Sequence, residues 1–524
     1  MLRTFAYKEG SRVFEPLLTA AEGFPAFERE FLSAKSEIWA SFRVFDPETI
    51  LRSPEARAVG ERWFDLIVHT LARGVRLNLA IADFDPVAMP ALHRATWRSV
   101  RRIIAAAELS NAPDRLRIVA AMHPASTGFL PRLMFWPVIL ARKMRLAAQI
   151  NRQAPAVRQA MLKEMPGVPD RFAQRSDGTL RPTIWPLPRL YPATHHQKIA
   201  VFDRCRLYIG GLDLDERRFD TLTHACRAEE TWHDVQLLLS GLVVEEAQEH
   251  VETFLDVTAG RREPTRPKRL LRTLSRPRAR NLLRFGPDTI VQEIASAHEH
   301  CARNARRLIY LETQYFRDLR LARYLARIGA ANPDLGMIMM LPGAPEEIAF
   351  DRRVELDARF GEFLQSRALR IVGKAVGRRL FVGAAAQPRD VDGAEEGGNG
   401  RDQLCGAPIV YIHSKVSIFD ETSAIVSSAN LNGRSLRWDT EAGVLITERA
   451  NVQALRRKVM AHWLPAEAGP AFFDTVRAVP AWRQLALENT KRRPSARAGF
   501  LLPYDLSAAE RFATGVPVLP EEMV

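Results

Sequence analysis

The chain has 524 residues, 47% of them hydrophobic, a formal net charge of +14 and a pI near 10. That length exceeds one typical core and predicts two lobes. No apolar run reaches membrane-spanning length, which argues against a spanning helix, and Cys205, Cys226, Cys301 and Cys405 have no metal-type spacing and need not pair, as fits a reducing compartment.

The opening MLRTFAYKEGSRVFEP lacks the apolar core of a secretion signal, so a cytoplasmic location is expected, at most peripheral on a membrane. Export without a cleavable signal would look the same. Residues 38–45 (IWASFRVF), then GVRLNLAIAD, then LRIV at Leu116 predict helix-strand units. An insertion is expected over about 121–190. Inside it, residues 133–141 (LMFWPVILA) form an apolar run rimmed by Arg132, Arg142, Lys143 and Arg145. The run is too short to span a bilayer. It either lies in the membrane interface with Phe135 and Trp136 toward the acyl chains, or packs as core or lid.

Next comes HHQKIAVFD, with His196, Lys198 and Asp203. The β-branched run after Lys198 predicts a strand, in which positions i and i+2 share a face, so His196 and Lys198 project together while His195 faces away. Asp203 precedes a short polar connection and is expected to shape a turn. Gly210, Gly211 and Asp213 follow. Small residues there allow close backbone approach to a ligand, and Asp213 can bond a phosphate oxygen or a histidine. WHDV then supplies Asp234.

Residues 260–280 carry nine Lys or Arg against Glu263 alone, 9 − 1 = 8 of the net charge, and three prolines. They predict a solvated linker, here taken as 260–283, between a lobe at 1–259 and a lobe at 284–524. In VQEIASAHEHCARNARR the cluster His298, His300 and Cys301 falls on a predicted helix, where i and i+2 do not share a face, so no metal role is assigned.

The second half repeats the first. IYLETQYF (309–316) parallels IWASFRVF, LGMIMMLP parallels GVRLNLAIAD, and LRIV at Leu369 parallels LRIV at Leu116. Glu312 and Gln314 on the first of these either line a cleft or satisfy local partners. A glycine-rich, acidic stretch at 389–406 is a flap or an ordinary loop. IHSKVSIFD then restores the motif as His413, Lys415 and Asp420, followed at matching offsets by Ser427, Ser428 and Asn430, and later by Glu441 in DTEAGV. With only 10 lysines in the chain, two copies at this spacing are not chance. From Ile38 to His196 is 158 positions and from Ile309 to His413 is 104, an excess of 158 − 104 = 54 in the first half.

Two imidazoles facing two ammonium groups suit a phosphodiester. One neutral His attacks phosphorus, a protonated His gives a proton to the leaving alkoxide, and Lys198 and Lys415 hold the non-bridging oxygens. A carboxylate on one ring nitrogen would fix each tautomer, and Asp234 is assigned to His196 and Glu441 to His413. Asp420, like Asp203, is a turn residue.

These segments resemble the phospholipase D superfamily, in its two-motif form: THHQKIAVFD, YIGGLDL, RRFD and TWHDV in the first half, IYLETQYF, IHSKVSIFD, SSANLNGRS and DTE in the second. The resemblance implies an α/β fold of two lobes, each a mixed β-sheet flanked by helices, related by a pseudo-two-fold with one active site at their interface. It further implies a phosphohistidine intermediate, with His196 as nucleophile and His413 as general acid, no cofactor and no metal. Arg434 and Ser435 match the RS that braces the phosphate loop in such proteins; Ser427 departs from a common Gly and Asp213 from a common Asn. The implied reaction is hydrolysis of glycerophospholipids to phosphatidic acid and a head-group alcohol. The alternative is a phosphatidyltransferase of the cardiolipin synthase kind, whose members commonly have N-terminal membrane helices and GSxN-like segments in both halves; a nuclease is more distant. The expected partner is a phospholipid membrane surface rather than nucleic acid, and a monomer is expected because both half-sites share one chain.

Overall fold

The computed structural model describes residues 13–279, 282–350, 356–392, 400–517 and 519–524. Runs of branched and aromatic residues build two mixed sheets. The first holds β1 (Phe14–Leu18), β2 (Glu37–Phe42), β3 (Arg76–Ala82) and β4 (Leu116–Ala121); after a small hairpin, β5 (Phe172–Gln174) and β6 (Leu180–Pro182), it is completed by β7 (Ile199–Phe202), β8 (Arg206–Gly210) and β9 (Val235–Leu239). Its strand order is β1-β9-β8-β7-β2-β3-β4.

The second sheet holds β10 (Leu270–Arg276), β11 (Asp288–Gln292), β12 (Leu308–Thr313), β13 (Gly336–Met340) and β14 (Leu380–Ala385). A hairpin of β15 (Gln403–Leu404) and β16 (Ala407–Pro408) precedes β17 (Lys415–Phe419), β18 (Ser423–Ser427), β19 (Glu441–Ile446) and β20 (Leu501–Pro503). Its order is β11-β10-β19-β18-β17-β12-β13-β14-β20. Without edge strands β11 and β20 this is the first sheet's order, element for element. In both, three neighbouring strands run parallel and the motif strand, β7 or β17, lies antiparallel beside the first of them.

Both faces of each sheet are covered. Ile199, Val201, Leu207 and Ile209 meet Val416, Ile418, Val426 and Val444 in one shared core between the sheets. The alternate residues Ala200 and Phe202 point to helices with Phe27, Phe31 and Trp63, and Phe419 and Ile425 point to helices with Leu325 and Leu364. The result is four layers, helix, sheet, sheet, helix, as period-two alternation buried on both sides requires.

The motif aspartates close turns. Asp203 (φ 48°) accepts backbone N–H bonds from Lys35, Ser36 and Glu37, and Asp420 (φ 53°) accepts them from Arg306, Arg307 and Leu308. Each therefore pins the end of its motif strand to the entry of β2 or β12.

Two expectations need correction, and for the insertion the packed alternative holds at Phe135 and Trp136. The basic stretch 260–283 is not a linker throughout, because 270–276 is β10, the counterpart of β1. Leu270, Leu271 and Leu274 are buried, and the guanidinium of Arg272 is neutralised by Glu293 at 2.9 Å, so its charge does not force it into solvent. LRIV at Leu369 lies in the helix Leu356–Val376, and the strand matching β4 is β14. In the insertion, the helix Phe129–Asn151 turns Phe135 and Trp136 inward, half-buried against Ile139, Leu146, Ile150 and Phe172, and Lys143 is buried with its ammonium donating to Thr183. Leu130, Leu133, Met134 and Val138 face outward instead, 45, 49, 44 and 51% exposed. Of the stretch 389–406, residues 393–399 lie outside the described residues.

Candidate active site

Each motif strand is tied at its start to the other lobe. The His196 N–H donates to the Thr440 carbonyl (2.8 Å) and the Thr440 N–H to the Thr194 carbonyl (2.9 Å). Equivalently, the His413 and Ser414 N–H groups donate to the His233 carbonyl (2.8 and 3.1 Å), while the His233 N–H donates to the Tyr411 carbonyl (2.9 Å).

That backbone exchange sets the carboxylate pairing. Glu441, next to Thr440, takes His196 Nδ1 at 3.0 and 3.2 Å; Asp234, next to His233, takes His413 Nδ1 at 2.6 Å. The expected pairing within each half is thus wrong, and the partners are crossed between lobes. A carboxylate on Nδ1 keeps the proton there and leaves Nε2 with the reactive lone pair. Both imidazoles line one cavity of about 270 Å³.

The small residues after each motif back these carboxylates rather than a ligand. A Cβ on Gly211 would come within 2.2 Å of the Asp234 carboxylate, so only glycine admits that group. At the matching position the Ser428 hydroxyl donates to Glu441. Asp213 accepts from the Val44 N–H (2.9 Å) and lies 3.4 Å from Lys198 Nζ. Asn430 donates to Gln314 (3.1 Å), and its own carbonyl oxygen has no hydrogen-bond partner among the described residues. Asp213, Asn430 and Gln314 all line the cavity, whereas Glu312 is buried away from it with His233, Tyr310 and Trp463.

The lysines are placed otherwise than expected. Lys198 and Lys415 are buried behind the imidazoles, each ammonium donating to the carbonyl of its own motif histidine, and neither lines the cavity. The wall cations are Arg43, Arg218, Arg317 and Arg434. Arg218 lies 3.5 Å over the Trp232 ring, which packs at a tilt with its centroid 4.4 Å from that of His413, and Arg434 is held by Asp439 at 3.1 Å. Arg43 and Arg218 were missed from sequence. The internal repeat carried the signal for Arg43, since it occupies in IWASFRVF the place Gln314 occupies in IYLETQYF.

Burial, and then the neighbouring ammonium of Lys198 or Lys415, holds both His196 and His413 well below the usual imidazole range. Burial also draws Lys415 down to about 7, against the attraction of Asp234. The cavity thus presents two neutral imidazoles to a wall of mixed charge, in which the four arginines stand among Asp213, Glu346, Glu347, Asp357 and Asp439, and an anion entering beside the imidazoles favours protonation of one of them. His195 faces away, bonded through Nδ1 to Thr440 at 2.8 Å and packed on Phe254. His298 lies on the helix Glu293–Asn304 and bonds Ser417, apart from exposed His300.

A family model described as "Cardiolipin synthase, PLD-like domain" matches residues 399–463. The chain is 22% identical over 381 residues to phospholipase D alpha 4 of Arabidopsis thaliana, covering 53% of this chain and 49% of that one. It is 20% identical over 357 residues to phospholipase D1 of Schizosaccharomyces pombe, covering 50% and 25%. The match therefore spans half or less of these relatives' own length. Among solved structures, phosphatidylserine synthase of Haemophilus influenzae Rd KW20 is similar at 12% identity and a TM-score of 0.47, covering 91% of this chain and 94% of that one.

Proposed function

We propose that this chain is a phosphodiesterase of the phospholipase D superfamily, hydrolysing glycerophospholipids to phosphatidic acid and a head-group alcohol, a reading its similarity to phospholipase D relatives supports. The observation that carries this reading is the pair of imidazoles in one cavity, each with Nδ1 held by a carboxylate from the opposite lobe.

His196 Nε2 attacks phosphorus, and Glu441 stabilises the positive charge that grows on the ring. The P–O bond to the head group breaks as the protonated His413, held by Asp234, gives its proton to the departing oxygen. Charge developing on the non-bridging oxygens meets Arg43, Arg218 and Arg434. Neutral His413 then takes a proton from water, which attacks the phosphohistidine, releases His196 and gives phosphatidic acid. An alcohol in place of water gives head-group exchange, and the cardiolipin synthase description of the matching family model favours this as the second reading.

Incubation with phosphatidylcholine, phosphatidylethanolamine, phosphatidylglycerol and DNA separates the cases. Phosphatidic acid is expected; cardiolipin or exchanged lipid marks a transferase, and nicked DNA without lipid products marks a nuclease and overturns the proposal. Arg43→Ala and Arg218→Ala are each expected to lower kcat/KM on the order of 10²-fold, the cost of removing one donor to developing anionic charge. Rates within twofold of wild type would remove these arginines from the site.

We also place the membrane contact on the exposed Leu130, Leu133, Met134 and Val138, continued by Leu282, whose carbonyl accepts from the Leu130 N–H. No described helix is long and apolar enough to cross a membrane, and an exposed apolar helix face of this kind suits contact in the interface. Replacing Leu133, Met134 and Val138 together by Ser removes about 1.5–3 kcal/mol of burial per residue. Sedimentation should show liposome binding weakened at least tenfold with turnover of a soluble short-chain substrate unchanged. Equal loss on both would assign the patch a packing role.

A further inference from the structure

We propose a second site, outside the cavity, that takes one divalent first-row metal ion of the zinc class on His224, His233 and His462. Their ligand nitrogens all lie within 4.8 Å of one another. They come from three separate places: His224 from the loop before β9, His233 from the segment entering β9, and His462 from the last turn of the helix Arg449–Trp463 in the other lobe.

The hydrogen bonds around the triad prepare lone pairs rather than use them. Asp220 takes His224 Nδ1 at 2.6 Å, which puts the proton there and leaves Nε2 free to ligate. Glu312 takes His233 Nε2 at 3.0 Å and leaves Nδ1 free. Carboxylates on the far nitrogens of ligating histidines are the common outer shell of such sites, fixing ring orientation and raising basicity.

Without a metal the cluster is only half satisfied. His462 Nε2 lies 2.8 Å from His224 Nε2 and can donate a hydrogen bond to it, but His233 is fully buried and its Nδ1 has no partner among the described residues. A bound ion uses all three lone pairs at once. Metal–nitrogen bonds of 2.0–2.1 Å at tetrahedral angles put ligand atoms about 3.4 Å apart, so the wider pairs, now within 4.8 Å, must close by up to about 1.4 Å while His224 and His462 open from 2.8 Å. Three imidazoles select zinc-class ions over calcium or magnesium, which prefer oxygen. His462 is half-buried, the least enclosed of the three, while Trp463 and Phe500 wall His224. The ion would staple the two lobes and, through His233, steady the adjacent Asp234 that orients His413.

The test uses the full chain, stripped with a chelator and titrated with Co²⁺, then with competing Zn²⁺. One Co²⁺ per chain with visible ligand-field absorption is expected. His224→Gln and His462→Gln should abolish the absorption, and Asp220→Asn should weaken Zn²⁺ on the order of 10–100-fold. Added Zn²⁺ should raise the Tm of the stripped wild type and leave that of His462→Gln unchanged. No stoichiometric Co²⁺ in the wild type, or absorption unaltered in His462→Gln, overturns the site and leaves a hydrogen-bonded histidine pair. Should the variants fail to fold, X-ray absorption of the Zn²⁺-loaded wild type decides: three imidazoles are expected, and a thiolate or all-oxygen shell contradicts the proposal. None of these readouts depends on lipid turnover.

Discussion

His196→Ala should lose on the order of 10⁶-fold in kcat, because it forms the bond to phosphorus while His413, the other imidazole lining the cavity, is held by Asp234 as the acid and base. His413→Ala should lose less, on the order of 10⁴-fold, the upper range for a general acid and base. The two are separated by leaving group. A p-nitrophenyl phosphodiester departs without a proton, so His413→Ala should recover on the order of 10²-fold relative to an alkyl leaving group, and His196→Ala should recover nothing. Rescue of His196→Ala instead would exchange the two roles.

Stability should collapse in mild acid. Burial pulls His123 and His250 from 6.5 down to about 3, and His298 to about 4. Between those values and 6.5 the unfolded chain binds protons that the folded chain refuses, so stability is full above about pH 6.5 and is lost as pH falls. At about pH 5 each of the three disfavours folding by about 2 kcal/mol, or roughly 6 kcal/mol together, comparable with the whole stability of an ordinary domain. Urea midpoints measured from about pH 7.5 to about pH 4.5 should fall steeply below about pH 6, and His298→Gln should flatten the slope by about one proton. A midpoint constant from about pH 7 to about pH 5 would contradict buried neutral imidazoles.

Much of the site was legible because it is local. His196 and His413, their following strands and the turns at Asp203 and Asp420 depend on residues a few positions apart. One strand and one helix were misread where local pattern is ambiguous. The run LLRTLSR looks like part of a basic linker until Glu293 is known to neutralise Arg272, and LRIV suits a strand or a buried helix equally. The crossed carboxylates could not be read from order along the chain, because Glu441 reaches His196 only through the exchange of backbone bonds between lobes. The lysines show the limit of face arguments: sharing a face with His196 or His413 placed Lys198 and Lys415 beside them, but long side chains folded back onto the histidine carbonyls.

The most direct measurement is acid-quenched mass spectrometry of the protein during turnover of a short-chain phosphatidylcholine. A phosphatidyl adduct on His196 that decays on dilution into water, and accumulates in His413→Ala with an activated substrate, is the expected result. An adduct on His413 or on Lys198, or none in a variant that still turns over, would contradict the account.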